Sequence, residues 1–140
     1  MSVYLDASVL VALFTDDVLA DRADAFLRTH SPVVIVSDFA AAEFASAIAR
    51  HVRMRAIKAQ DAHRTFTTFD ARIARAAGRA LTTSADVASA AAFLRRLDLP
   101  LRTPDALNIA IAQRIGAEIL TFDDRMAVSA RALGTAVVVG

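Results

Sequence analysis

Four short runs of strand-forming residues are separated by long segments with helical spacing. They are Val3-Tyr4-Leu5, Val33-Val34-Ile35-Val36, Glu118-Ile119-Leu120-Thr121-Phe122 and Ala136-Val137-Val138-Val139. Their apolar residues are consecutive rather than alternating, the pattern of strands covered on both faces. Parallel strands need long crossovers, and the intervening segments supply them as helices. The expected fold is a three-layer α/β/α sandwich with a mainly parallel central sheet, built as one domain over residues 1–140.

The helices can be placed from their caps and apolar faces. Ser8 can cap a helix that begins Val9-Leu10-Val11. A second helix is expected over residues 17–28, with Leu19, Ala23, Phe26 and Leu27 on one side. Pro32 breaks the chain, and Ser37 or Asp38 caps a long helix to about residue 53. Residues 57–77 read as helix, with Phe66, Phe69, Ile73 and Ala77 on one face. Thr82-Thr83-Ser84 starts another. Thr103 can cap the next, with Pro104 at its first position and Gly116 as its stop. The last helix is expected over residues 123–133.

Composition narrows the classes. The chain has no cysteine, which excludes disulfides and thiolate zinc sites. The segment Met1-Ser2-Val3-Tyr4-Leu5-Asp6 lacks a basic region and reaches an acid early, unlike a secretory signal. No uncharged apolar run approaches the roughly 20 residues that span a bilayer. A cytoplasmic protein with no membrane partner is expected. Hydrophobic residues make up 56% of the chain, but much of that share is alanine, which favours helix and adds little apolar area.

The net charge of +1 conceals an asymmetry: residues 50–79 carry eight Lys or Arg against two Asp, leaving the remainder acidic. A basic stretch of this kind is either a solvated helix face or a contact for a polyanion.

The acids fall at telling places. Open parallel sheets bind ligands beyond the carboxyl ends of their strands. Asp6 directly follows the first strand and Asp123 the third, so both should emerge on one rim. Asp105 lies in the first turn of a helix, where the helix dipole alone would account for it. Glu43 sits in Phe39-Ala40-Ala41-Ala42-Glu43-Phe44-Ala45, a nearly apolar helical stretch. It either faces outward or points into a shared acidic pocket. Clustered carboxylates repel one another unless a cation compensates, and the one lysine, Lys58, is remote in sequence from all four. A hard divalent ion suits such an oxygen-only set, Mg²⁺ or Mn²⁺ above all. Such an ion also suits phosphodiester hydrolysis. His30, His51 and His63 show no metal-ligand spacing and are read as surface residues.

These residues resemble a known family. Leu5-Asp6-Ala7-Ser8-Val9-Leu10 and Glu43 in an alanine-rich helix are similar to the opening half of PIN-domain proteins. Thr103-Pro104-Asp105-Ala106-Leu107 and Leu120-Thr121-Phe122-Asp123 are similar to the closing half. The four segments span nearly the whole chain in the expected order, at a length typical of the VapC toxins of bacterial toxin–antitoxin pairs. The resemblance implies a Mg²⁺- or Mn²⁺-dependent endoribonuclease in which Asp6, Glu43, Asp105 and Asp123 are catalytic and bind the metal directly or through water. It implies that Ser8 supports the site, a role compatible with capping. It further implies a small cognate antitoxin of the VapB kind and a homodimer.

Asp124 follows Asp123, so either can be the fourth acid, with the strand-end position favouring Asp123. Asn108 lies one turn after Asp105, where relatives often carry histidine. Arg50 and Arg53 share one helix face, and Arg72, Arg75 and Arg79 recur at helical spacing on the next; all five are candidate RNA contacts. A phosphoacceptor receiver domain also places acids at strand ends, but its chemistry wants a lysine that this chain lacks after Lys58. A non-catalytic RNA- or protein-binding module of the same fold, and a housekeeping RNA-processing nuclease, are the remaining alternatives.

Overall fold

The computed structural model describes residues 1–138, without the side chains of residues 76 and 77. Five parallel strands form one sheet: β1 (Ser2–Leu5), β2 (Val33–Ser37), β3 (Ala77–Ala80), β4 (Glu118–Leu120) and β5 (Val137–Val138). Their order is β3-β2-β1-β4-β5. The helices are α1 (Ala7–Phe14), α2 (Ala20–His30), α3 (Asp38–Arg53), α4 (Ala59–Ala76), α5 (Ser84–Leu94), α6 (Thr103–Ile115) and α7 (Asp124–Ala132). α1 packs on α2, α3 and α4, while α5 packs on α6, giving the expected α/β/α layering.

β1 is central, and its Val3, Tyr4 and Leu5 are buried together with Val36, Ile119 and Leu120 of its neighbours. Burial on both faces accounts for the unbroken apolar runs. Phe44 of α3 stacks on Phe69 of α4 with ring centroids 4.4 Å apart, and Phe14 meets Phe69 edge-on at 5.1 Å. These three rings join α1, α3 and α4. α6 stops at Gly116, whose φ of 68° is the left-handed conformation that favours glycine at a helix end.

The structure corrects several expectations. The segment Ala77-Gly78-Arg79-Ala80 is an edge strand paired with β2, where Val34 meets Ala77 and Ser37 meets Ala80. It carries no apolar run, so its state is set by the partner strand rather than by local preference. Arg79 therefore lies on a strand and does not continue the helical series of Arg72 and Arg75. Asp6, not Ser8, caps α1, and Arg102, not Thr103, precedes α6, which puts Pro104 at its second position. α2 begins three residues later than expected and ends two later. β4 stops at Leu120, and Val139 lies outside the described residues.

Candidate active site

The chain runs outward from β1 through β2 to β3, then returns to the other side of β1 as β4. A crevice opens beyond the carboxyl ends of parallel strands at such a reversal. Asp6 follows β1 there, and its amide donates to the Leu120 carbonyl at 3.3 Å.

The Asp6 carboxylate is 4% exposed and is held by three donors. Oδ1 accepts from the Ser8 hydroxyl at 2.6 Å and from the Val9 amide at 3.1 Å, and Oδ2 accepts from the Thr121 hydroxyl. Ser8 Oγ accepts in turn from the Phe122 amide (3.1 Å), and Thr121 Oγ1 accepts from the Asp123 amide (3.0 Å). One carboxylate thus ties the start of α1 to the connection between β4 and α7. Burial pushes the Asp6 carboxyl above its ordinary range; the three hydrogen bonds work against that rise, and the charge of Asp123 adds to it.

Asp123 is half-buried and caps α7, accepting from the Arg125 amide at 3.0 Å and the Met126 amide at 3.3 Å. Asp124 is exposed in the first turn of the same helix. Asp105 is half-buried in the first turn of α6 and accepts from the Arg102 amide at 3.2 Å. Three of the four acids thus stand at helix N-termini, whose dipoles favour negative charge.

Glu43 reaches the site from within α3. It is half-buried, and its Oε1 accepts from Asn108 Nδ2 at 2.7 Å. Burial again raises its carboxyl; Asn108 opposes the rise, and the charges of Asp6 and Asp105 reinforce it. Asp6 feels Asp123, and Glu43 feels both Asp6 and Asp105, so the four carboxylates share one electrostatic neighbourhood. Among the described residues no three acids are drawn together into a finished metal cage.

Asn108 is 3% exposed and fully engaged. Nδ2 also donates to the Pro104 carbonyl at 3.0 Å, and Oδ1 accepts from the Tyr4 hydroxyl. Tyr4 OH lies 2.6 Å from Ser37 Oγ, which caps α3 by accepting from the Ala40 amide at 2.9 Å. Burial pushes the Tyr4 phenol well above its ordinary value, a rise that Ser37 opposes and Glu43, Asp6 and Asp38 reinforce.

Two hollows adjoin the acids. One, of about 780 Å³, is lined by Glu43 and Pro104 at one end and by Arg50, His51 and Arg53 further along α3. The other, of about 400 Å³, is lined by Ser8, Phe122 and Asp123. Ala7 and Ala47 line both. His51, expected as a plain surface residue, is half-buried in the first of them. Arg72 sits with its guanidinium 5.0 Å from the centre of the Phe14 ring, on α4. Arg75 and Arg79 are exposed.

Sequence reasoning missed Tyr4 and Thr121. Each had a signal: Tyr4 is the one tyrosine of the chain, set in a buried strand, and Thr121 is a hydroxyl in an otherwise apolar run before an acid. A buried hydroxyl needs a partner.

An open parallel sheet with acids at the starts of α1, α6 and α7, and with Glu43 within their electrostatic reach, defines an α/β protein with an acidic rim. The PIN domain family model matches residues 3–132. Ribonuclease VapC46 of Mycobacterium tuberculosis is 34% identical over 147 aligned positions, covering 98% of this chain and 96% of that one. The chain belongs to the PIN-domain family, with the VapC ribonucleases as its relatives.

Solved structures agree on the fold. VapC20 of M. tuberculosis, described as a sarcin–ricin loop cleaving toxin, matches with a TM-score of 0.75 at 20% identity, covering 97% of this chain and 98% of that one. A toxin–antitoxin complex from Klebsiella pneumoniae matches with a TM-score of 0.63 at 18% identity, covering 89% of each chain.

Proposed function

We propose that the chain is an endoribonuclease toxin that hydrolyses RNA phosphodiester bonds with a divalent metal, Mg²⁺ or Mn²⁺, held by Asp6, Glu43, Asp105 and Asp123. The observation that carries this reading is that these four carboxylates share one electrostatic neighbourhood, with Asp6 and Asp123 directly beyond the carboxyl ends of β1 and β4, and with neutral donors reaching Asp6 and Glu43. Their donors are Ser8, Thr121, the Val9 amide and Asn108, none of which cancels charge. An oxygen-only set in which burial and neighbouring acids raise the Asp6 and Glu43 carboxyls fits a hard cation.

A divalent ion held by these acids would supply positive charge against the phosphodiester's developing negative charge. The chain's own residues do the rest. Ser8 and Thr121 fix Asp6, and Asn108 fixes Glu43. Asp123 is the fourth acid, because its charge reaches Asp6 while Asp124 stands exposed. Arg50 and Arg53 line the hollow that leads away from Glu43 and take the flanking RNA phosphates; Arg72, Arg75 and Arg79 contribute at longer range.

A small antitoxin of the VapB kind neutralises the enzyme, a reading supported by the toxin–antitoxin complex among its structural neighbours. The protein acts in the cytoplasm as a homodimer. Among the described residues no helix is long and apolar enough to cross a membrane.

The test is cleavage of total cellular RNA by the purified chain, with Mn²⁺ or Mg²⁺ against EDTA and with Asp6→Asn alongside. Metal-dependent fragments that disappear in Asp6→Asn are expected. Absence of cleavage across several RNA sources would favour a binding module on the same fold.

A further inference from the structure

We infer that Tyr4 is a positioning residue for Glu43, acting through the side-chain amide of Asn108. The inference rests on the reading of Glu43 as one of the metal-holding acids and extends it to a residue inside the sheet.

The direction of each hydrogen bond in this chain of contacts can be worked out. Ser37 Oγ accepts from the Ala40 amide, and Tyr4 donates to Asn108 Oδ1. The contact between Ser37 and Tyr4 therefore uses the serine proton, given to the tyrosine oxygen. Asn108 then donates one amide proton to Glu43 and the other to the Pro104 carbonyl. Every polar atom of Asn108 is engaged. Turning its amide over would set Oδ1 against a carboxylate and a carbonyl, two acceptors with no proton to give it. Only one orientation satisfies all partners: the Glu43 carboxylate and the Pro104 carbonyl can only accept, and the Tyr4 hydroxyl supplies the donor that the Oδ1 so placed requires.

The path also closes on itself. It leaves the capped start of α3 at Ser37, crosses β1 at Tyr4 and α6 at Asn108, and returns to α3 at Glu43. Tyr4 and Asn108 are 0% and 3% exposed, so water does not replace a lost member easily. Glu43 lies on a half-buried helix face beside two other acids, where repulsion pushes it away from the cluster. A rigid donor at Oε1 resists that push and sets where the carboxylate stands. Partners that orient a metal-holding side chain commonly change metal affinity or activity by about 10- to 100-fold when removed.

The experiment uses Tyr4→Phe, which keeps the ring that fills the core and deletes only the hydroxyl. Thr83→Ala serves as the comparator: it removes the cap of α5, whose hydrogen bonds run to Asp86 and to no member of the path, and lowers stability. Mn²⁺ affinity is measured by electron paramagnetic resonance, kcat and KM on one RNA substrate, and thermal stability on all three proteins. The expected result for Tyr4→Phe is Mn²⁺ binding weakened about tenfold, with kcat reduced and KM for RNA unchanged. Thr83→Ala should melt lower yet bind Mn²⁺ as wild type does. Wild-type affinity in Tyr4→Phe, or an equal loss in Thr83→Ala, would overturn the inference.

A metal-free readout separates it from the reading on which it rests. In amide NMR of the apoprotein, the two side-chain protons of Asn108 should exchange slowly in wild type and at least about tenfold faster in Tyr4→Phe, as a buried, doubly bonded amide is loosened. Slow exchange in both proteins would refute the positioning role. Absence of Mn²⁺ binding by wild type, with the exchange difference intact, would refute the metal reading and leave the positioning of Glu43 standing.

Discussion

Thr121 donates its hydroxyl proton to Oδ2 of Asp6 across the seam between β1 and β4. The same hydroxyl oxygen accepts the Asp123 amide, so a single threonine couples the two acids that leave the two central strands. In this nearly closed environment Thr121, Ser8 and the Val9 amide oppose the burial that raises the Asp6 carboxyl.

Thr121→Val should therefore lower stability although the shape is preserved. A hydrogen bond to a charged group contributes about 1.5–3 kcal/mol, so a loss of about 2 kcal/mol is expected near neutral pH in metal-free denaturant melts. The loss should shrink in acid, where Asp6 takes up a proton and the missing donor matters less. A loss independent of pH would mean that the threonine acts through packing alone.

Asp6→Asn should behave in the opposite way. The folded-state carboxyl of Asp6 is raised above its ordinary 3.8. Its contribution to stability is thus fully present below that value and is lost as pH rises through the folded-state value. At neutral pH the raised carboxyl therefore costs stability, and the amide removes that cost. Metal-free Asp6→Asn should melt at or above the wild-type temperature at pH 7, with an advantage that disappears near pH 4. Cleavage should fall to background. Saturating Mg²⁺ should raise the melting temperature of wild type and leave the variant nearly unmoved, since a ligand at 100 times its Kd stabilises by about 2.7 kcal/mol.

Asp86 sets the acid limit with the reverse sign. It is 2% exposed, caps α5 together with Thr83, and accepts two hydrogen bonds from Arg114 of α6 at 2.8 and 3.1 Å. Burial raises its carboxyl, but the Arg114 and Thr83 hydrogen bonds prevail and hold it below the usual range. The resulting stability is present above 3.8 and is lost as pH falls through the lower folded-state value. Asp86→Asn should lower the melting temperature at pH 7 and flatten its fall below about pH 4, as followed by calorimetry.

Arg50 and Arg53 line the hollow beside Glu43, whereas Arg72 rests over Phe14 on another helix. Replacing both Arg50 and Arg53 with Gln should reduce the salt dependence of RNA binding by about 1.4 in logarithmic slope, from about 0.7 per phosphate contact on a single strand. Arg72→Gln with Arg75→Gln should change the slope less. Equal changes in the two pairs would mean that the RNA path runs over α4 rather than along α3.

Much of this molecule is written locally. Consecutive apolar residues specified β1, β2 and the start of β4, because strands buried on both faces admit no polar alternation. The apolar face of Phe66, Phe69 and Ile73 gave α4, and Gly116 gave the end of α6. Asp6 and Asp123 were legible as candidates because an acid directly after such a strand must lie at the carboxyl rim of a parallel sheet. Other features had no local signature. Ala77–Ala80 is a strand only because β2 offers it hydrogen bonds, and that reassigned Arg79. Asp6 rather than Ser8 caps α1, a choice made by Thr121 and Phe122 arriving from the far end of the chain. The path from Tyr4 through Asn108 to Glu43 joins residues 104 and 65 positions apart. The sequence determined which groups carry charge and, apart from β3, which segments are strands and helices, since those follow from residue type and spacing. Only the tertiary structure decided which neutral donors hold each carboxylate, because burial makes a hydrogen bond obligatory while leaving its partner to the packing of remote segments.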